Sequence, residues 1–250
     1  MSAPLLAALF AVVAFLYSMV GFGGGSSYLA LLALSDLPVE EWRALALLCN
    51  VVVVSGGTWL FVRRGHFSWR LFAPFVATSM PAAYLGGTVQ LEQRPFLILL
   101  AICLLLAGLR MAFDRRLTGR PAAGLSAGRA WSLGLPLGAV LGGLSGLIGI
   151  GGGIFLAPIL YMLGWGRPKE IAATASAFIL VNSLSGLAGL ALASPGLGLA
   201  REHLYLPAAV LVAGQLGSRL GSGHAPTRLV RGLTATLVLF VAAKLLWGAL

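Results

Sequence analysis

Long apolar stretches alternate with short polar connections along the whole chain. Six unbroken apolar spans fall at residues 42–63, 68–91, 95–113, 170–193, 203–221 and 227–250. Each is close to the ~20 residues an α-helix needs to cross a bilayer. Two further stretches, 4–34 and 131–163, are as apolar but are broken near their middles by glycine runs, Gly21-Phe22-Gly23-Gly24-Gly25 and Gly149-Ile150-Gly151-Gly152-Gly153. Three adjacent glycines continue a helix poorly, each costing about 1 kcal/mol relative to Ala, and they permit positive φ and close backbone approach. In lipid the N–H and C=O groups freed by a break must find partners inside the protein or in a water-filled cavity. Two breaks in corresponding places therefore predict a site built there. Glycines also let membrane helices pack closely, and Gly138, Gly142 and Gly146, spaced by four, read as such a packing stripe. Gly21 and Gly25 share that spacing, but packing alone does not call for three consecutive glycines in each half.

The two halves correspond beyond the glycines. Asp36-Leu37-Pro38-Val39-Glu40 matches Gly166-Arg167-Pro168-Lys169-Glu170, and Ser55-Gly56 matches Ser185-Gly186 at the same distance from its proline. Tyr84-Leu85-Gly86-Gly87 matches Gln215-Leu216-Gly217-Ser218, and Pro95 and Pro226 each begin the last span of a half. The common order points to an internal duplication: a first membrane repeat at 1–113, a basic linker at 114–130 and a second membrane repeat at 131–250. The fold class is thus an all-α polytopic membrane protein of two four-segment repeats, each opening with a glycine-broken helix.

Charge decides how the repeats are oriented. If each broken stretch crosses the membrane once, the halves run parallel, and Arg167, Lys169, Arg219, Arg228 and Arg231 fall opposite Arg63, Arg64, Arg70 and the linker arginines. If each broken stretch instead turns back at its glycines as a re-entrant hairpin, every strongly basic connection lies on one side, as cytoplasmic loops require. The hairpin arrangement, with inverted halves, arms of about 15 residues, Trp165 inside and the C-terminus outside, is the expectation. The N-terminus carries no signal-peptide-like basic segment and is expected to belong to the mature fold.

Composition narrows the function classes. Of 250 residues, 59% are hydrophobic and 10% charged, against about 25% charged in a soluble domain. The net charge of +10 reports topology, and with no basic soluble domain behind it a nucleic-acid partner is excluded. Cys49 and Cys103 lie in apolar spans without ligand spacing and read as buried thiols. No catalytic dyad, metal-ligand spacing or cofactor motif is present, and His66, His203 and His224 sit near connections, so no enzyme, metal or cofactor is expected.

At a hairpin's turn the second arm begins with unpaired N–H groups, and a helix N-terminus carries about half a positive charge. Such an end is a ready anion site. Gly23, Gly24, Gly25, Ser26 and Ser27 form one such end, with either serine as cap or ligand donor, and Gly151, Gly152 and Gly153 form the other. Asn50, Thr174, Asn182 and Gln215 are the polar candidates on neighbouring spans, with interhelical hydrogen bonding as their plainer role. Arg43 is the candidate cation near the entrance, or else the partner of Glu40 or Glu41.

The glycine runs, Pro158 after the second, and Asn182-Ser183-Leu184-Ser185-Gly186 resemble the sulfite exporter TauE/SafE family of membrane permeases, over essentially the whole chain. The resemblance implies a bacterial inner-membrane, multi-pass transporter of sulfite, sulfonates or related small anions, usually outward, with the glycine runs at the substrate. The first half has Ala30 where the second has Pro158, so the hairpins are chemically unequal. The expected partners are a small anionic substrate and the bilayer. Two readings stand beside anion transport by alternating access: a channel or permease for a neutral or cationic solute, and a non-transporting membrane scaffold.

Overall fold

The computed structural model describes residues 2–19, 21–35, 37, 39–90, 92–113, 126–194, 203–224 and, in part, 236–247. Most of the linker, 114–125, and the C-terminal end lie outside the described residues, and with them the expected position of the C-terminus. The described regular structure is entirely helical: α1 (Ala3–Ser18), α2 (Gly25–Leu32), α3 (Val39–Arg63), α4 (Trp69–Thr88), α5 (Gln93–Phe113), α6 (Ala127–Ile148), α7 (Gly153–Leu163), α8 (Pro168–Ala193) and α9 (Tyr205–His224). Residues Glu41–Arg63, Ala127–Ile148 and Lys169–Ala193 are long and apolar enough to cross a membrane. Large apolar side chains such as Val12, Trp59, Val140, Leu192 and Val212 stand exposed around the bundle, as a lipid-facing perimeter requires.

Both glycine runs break their helices and turn the chain back. Gly24 at φ 97° precedes α2, and Gly149 at φ 92° ends α6, both in the left-handed region that a side chain rarely adopts. The reversal of the first run is fixed by its arms. Phe10 stacks on Tyr28 at 4.7 Å, and a Cβ added to Gly24 would lie 2.9 Å from Val13, so α2 lies back along α1. In the second run, a Cβ on Gly152 would lie 3.4 Å from the carbonyl of Leu141, two turns before the end of α6. The arms are unequal, where about 15 residues each were expected: 16 and 8 residues in the first half, 22 and 11 in the second. At 1.5 Å per residue, α6 spans about 33 Å and reaches across a whole hydrocarbon core, while α7 covers about half of one.

Small residues set the packing. Gly134, Gly138, Gly142 and Gly146 present their bare Cα atoms to Pro74, Phe75, Ser79 and Ala83, so α4 and α6 run parallel in close backbone contact. With no hydrophobic drive between helices in lipid, such close approach is a main source of association. The corresponding contact in the other pair is Gly217 of α9 against Phe15 and Ser18 of α1. α3 and α8, which follow the two broken stretches, run antiparallel. Leu47 meets Gly186 near one end of the pair, and Val54 and Thr58 meet Ser176 further along.

Each short arm has its own core. Leu6, Phe10, Tyr28, Leu29, Leu45, Leu100 and Leu104 are buried together around α2, and Leu71, Phe75, Leu156, Leu160, Trp165 and Phe178 around α7. At one end of the bundle, the connection holding Trp165 and Gly166 packs against Leu71 and Phe75, close to the turn after α3. At the other end, His203 Nδ1 lies 2.6 Å from Glu41 Oε2, and Gln90 donates to the carbonyl of Ala193 and to Ser194 Oγ, each at 2.8 Å.

Candidate functional site

Asn50 is where the two glycine runs meet. It sits in the middle of α3, 11 residues from the helix start at Val39, and is fully buried. Its Nδ2 donates to the carbonyl of Ile150 at 3.2 Å. A Cβ on Gly23 would lie 2.5 Å from Asn50 Oδ1; on Gly25, 2.5 Å from Nδ2 and from the Ile150 carbonyl; on Gly151, 2.8 Å from Nδ2. No side chain fits at any of the three, so the close approach that glycine allows is used here by one carboxamide packed between two broken helices.

The N-termini of α2 and α7 open at this junction. Gly24 O takes the N–H of Tyr28, and Gly152 O takes those of Phe155 and Leu156. Among the described residues no backbone carbonyl takes the N–H groups of Gly25, Ser26, Ser27, Gly153 or Ile154, which are the orphan donors of two helix starts. The N-cap of α2 is Gly24, with no side-chain cap, so neither Ser26 nor Ser27 caps the arm. Ser27 instead lies 2.7 Å from Tyr17 Oη, and Ser26 is buried beside it.

α8 carries most of the remaining polar groups. Phe178 lies against Gly152, Ile179 against Gly151 and Gly153, and Ser183 Oγ is 3.2 Å from the position of a Cβ on Gly151. Gly186 packs on Gly146. Asn182 is one turn past Phe178 and one turn before Gly186, so it shares their face toward α6 and the second run, and Thr174 is one turn before Phe178. Asn182 and Thr174 are fully buried. Both carboxamide atoms of Asn182, and Oγ or Oγ1 of Thr174, Ser183 and Ser145, have no hydrogen-bond partner among the described residues; nor does Asn50 Oδ1. An unsatisfied buried polar group costs about 1–3 kcal/mol, so a cluster of them marks a place that water or a ligand completes.

Two candidates fall elsewhere. Gln215 lies against Gly56, six residues along α3 from Asn50, or about 9 Å of helix, at the contact between α3 and α9. Arg43 does not pair with Glu41, which meets His203 instead, and the side chain of Glu40 lies outside the described residues. The Arg43 guanidinium, only 7% exposed, donates to the carbonyls of Gly86, Gly87 and Val89 at the end of α4 and of Gly146 in the last turn of α6, at 2.9–3.2 Å. A cation at two helix C-termini is held by their carbonyls and by their partial negative charge. Ser145 and Ser183 were not among the candidates. Ser183 stands next to Asn182 in the sequence, and Ser145 precedes Gly149 by one turn of helix, so proximity to a glycine run was the available signal for Ser145.

Comparison with known proteins adds a lineage to this geometry. Residues 5–245 match the family described as Sulfite exporter TauE/SafE. A protein of Sinorhizobium fredii (strain NBRC 101917 / NGR234), named Probable membrane transporter protein y4hK, is 34% identical over 247 residues, 97% of each chain. No solved structure matches the chain.

Proposed function

The chain belongs to the sulfite exporter TauE/SafE family of membrane transporters, not enzymes, and from that premise we propose that it exports small sulfur-containing anions such as sulfite or sulfonates. The observation that carries the reading is the meeting of two helix N-termini at Asn50, beside a cluster of buried, unpartnered hydroxyl and carboxamide groups. Free N–H groups and the positive ends of two helices favour an anion, and the hydroxyls and carboxamides supply donors that fit its oxygens. Because Asn50 is at the middle of α3, the reading puts the site near the bilayer midplane, where transporters built from discontinuous helices hold their substrates.

The mechanism we infer is alternating access in the inner membrane. Residues 23–32 and 149–153 are all buried, so a solute reaches the junction only after helices move. The packing supports inverted halves: α3 and α8 correspond in sequence yet run antiparallel, and the pair α4 with α6 is mirrored by the pair α9 with α1. Glu41 beside His203 fits this arrangement and opposes the parallel one, which puts those residues on opposite sides. Arg63, Arg64, Arg70, Arg129, Arg167 and Lys169 then cluster at one end, which the charge rule makes cytoplasmic. Outward movement of an anion is driven by an inside-negative potential, at about 2.3 kcal/mol per charge per 100 mV. Flux of labelled sulfite in proteoliposomes tests the proposal. Potential-dependent flux above that of empty vesicles is expected, and its absence, or equal flux of a neutral solute, would defeat it.

A further inference from the structure

Resting on the anion site just proposed, we propose further that the site selects singly charged oxyanions over doubly charged ones of the same shape. The inference comes from counting the charges packed around the two glycine runs. The ionic side chain against them, among the described residues, is Arg43, whose Cα lies 3.2 Å from the position of a Cβ on Gly149. Its charge is already matched. The guanidinium donates to carbonyls at the C-terminal turns of both α4 and α6, and each helix C-terminus carries about half a negative charge. Glu41 meets His203 at 2.6 Å, at the end of the bundle away from Asn50.

What remains for a ligand is the N-termini of α2 and α7, at about half a positive charge each, set against the C-terminus of α1 at the first run, at about half a negative charge, which leaves about half a positive charge in total. The second mark of a ligand is independent of the helix ends. Asn50 Oδ1 and the Ser183 hydroxyl are buried at the runs without partners among the described residues, both carboxamide atoms of Asn182 and the Thr174 hydroxyl are likewise unpartnered along α8, and all four residues are fully buried. These groups are neutral, so they can orient oxygens but add no net charge. A monoanion leaves the junction within about half a charge of neutral. A dianion leaves about one and a half uncompensated negative charges inside the protein, where desolvation of an ion is expensive. A neutral solute of the same shape gives up the charge-assisted part of the hydrogen bonding.

Three near-isosteric probes separate these cases: dimethyl sulfone, methanesulfonate and sulfate, carrying no, one and two negative charges. Each is titrated into the purified full-length protein at constant ionic strength, with thermal stability as the readout. Each is also tested as a competitor of labelled sulfite flux in proteoliposomes, at a mildly acidic pH where the solute is mainly singly charged hydrogensulfite. Methanesulfonate is expected to bind and compete roughly tenfold or more better than either of the others. Sulfate acting as well as methanesulfonate overturns the charge inference and leaves the anion site standing. Dimethyl sulfone acting as well overturns both. Sulfite flux without any effect of methanesulfonate overturns the inference alone, and the absence of both flux and binding overturns the transport reading with it.

Discussion

The two glycine runs share one sequence pattern yet are held differently. The first is closed by its own arms: Phe10 stacks on Tyr28, Val13 packs at Gly24, and Tyr17 bonds Ser27. The second is hardly braced by its long arm, because α6 is committed to α4 through the stripe Gly134, Gly138, Gly142 and Gly146. Its short arm leans on α8, through Phe178 and Ile179, and beyond the bond from Asn50 to Ile150 the hydroxyls of Ser145 and Ser183 beside it are without partners among the described residues. A satisfied hydrogen bond rigidifies, whereas a set of unsatisfied ones waits for a ligand. The chain thus has two glycine-led helix starts: Tyr17 and Ser27 brace the first, where the Tyr28 hydroxyl is without a partner among the described residues, and the unpartnered groups of Ser145 and Ser183 lie at the second.

The largest effect that sharpens this contrast is expected from Gly152→Val. At φ 76° and with the Phe178 ring 2.9 Å from an added Cβ, a β-branched residue costs about 1–3 kcal/mol in strain and fills the junction. Flux per folded protein should vanish while much of the protein still inserts and folds. Gly142→Val, pressed into the backbone of Ser79, should instead lower the yield of folded protein, as overpacking by 1–3 kcal/mol or more does. Normal flux in the Gly152 variant would remove the backbone of the second run from the substrate path.

Asn182→Leu comes next. The loss of two donor or acceptor atoms at the site should cut flux by roughly tenfold to a hundredfold. Removing an unsatisfied buried amide should leave the melting temperature unchanged or raised. A stability loss with unaltered flux would make Asn182 a packing residue. Asn50→Ala should lower both quantities, because Asn50 bonds Ile150 of the second run while packing against Gly23 and Gly25 of the first; a stability loss of about 1–3 kcal/mol is expected from denaturation curves. Smallest is Tyr17→Phe. Breaking the bond to Ser27 should cost about 1 kcal/mol and leave flux within about twofold, the signature of a brace. A large flux defect there would erase the distinction between the hairpins.

Much of this was legible in the chain. Three consecutive glycines fix where a helix must stop, and the predicted spans 42–63, 68–91 and 170–193 differ from α3, α4 and α8 by no more than three residues at either end. The stripe at Gly138, Gly142 and Gly146 was readable because period four has one meaning on a helix face. Arm length was not readable, since apolar residues continue past every point where an arm could begin. The partners of Arg43 were equally hidden. A carboxylate a few residues away is visible in a sequence, but a ring of backbone carbonyls from α4 and α6 leaves no mark in side-chain identity. For the same reason Ser27 stood open as a cap or a ligand donor, although its hydroxyl is taken by a tyrosine from the other arm.

Thiol protection tests the central claim most directly. With Cys49 and Cys103 replaced by alanine, Ser183→Cys and Ser27→Cys each place one sulfur at one glycine run, in positions that differ from serine by a single atom. The account predicts that a small, water-soluble thiol reagent modifies the residue-183 thiol during transport, that methanesulfonate slows this modification, and that the residue-27 thiol reacts slowly with or without the anion. Anion-dependent protection at residue 27, with none at residue 183, would contradict it.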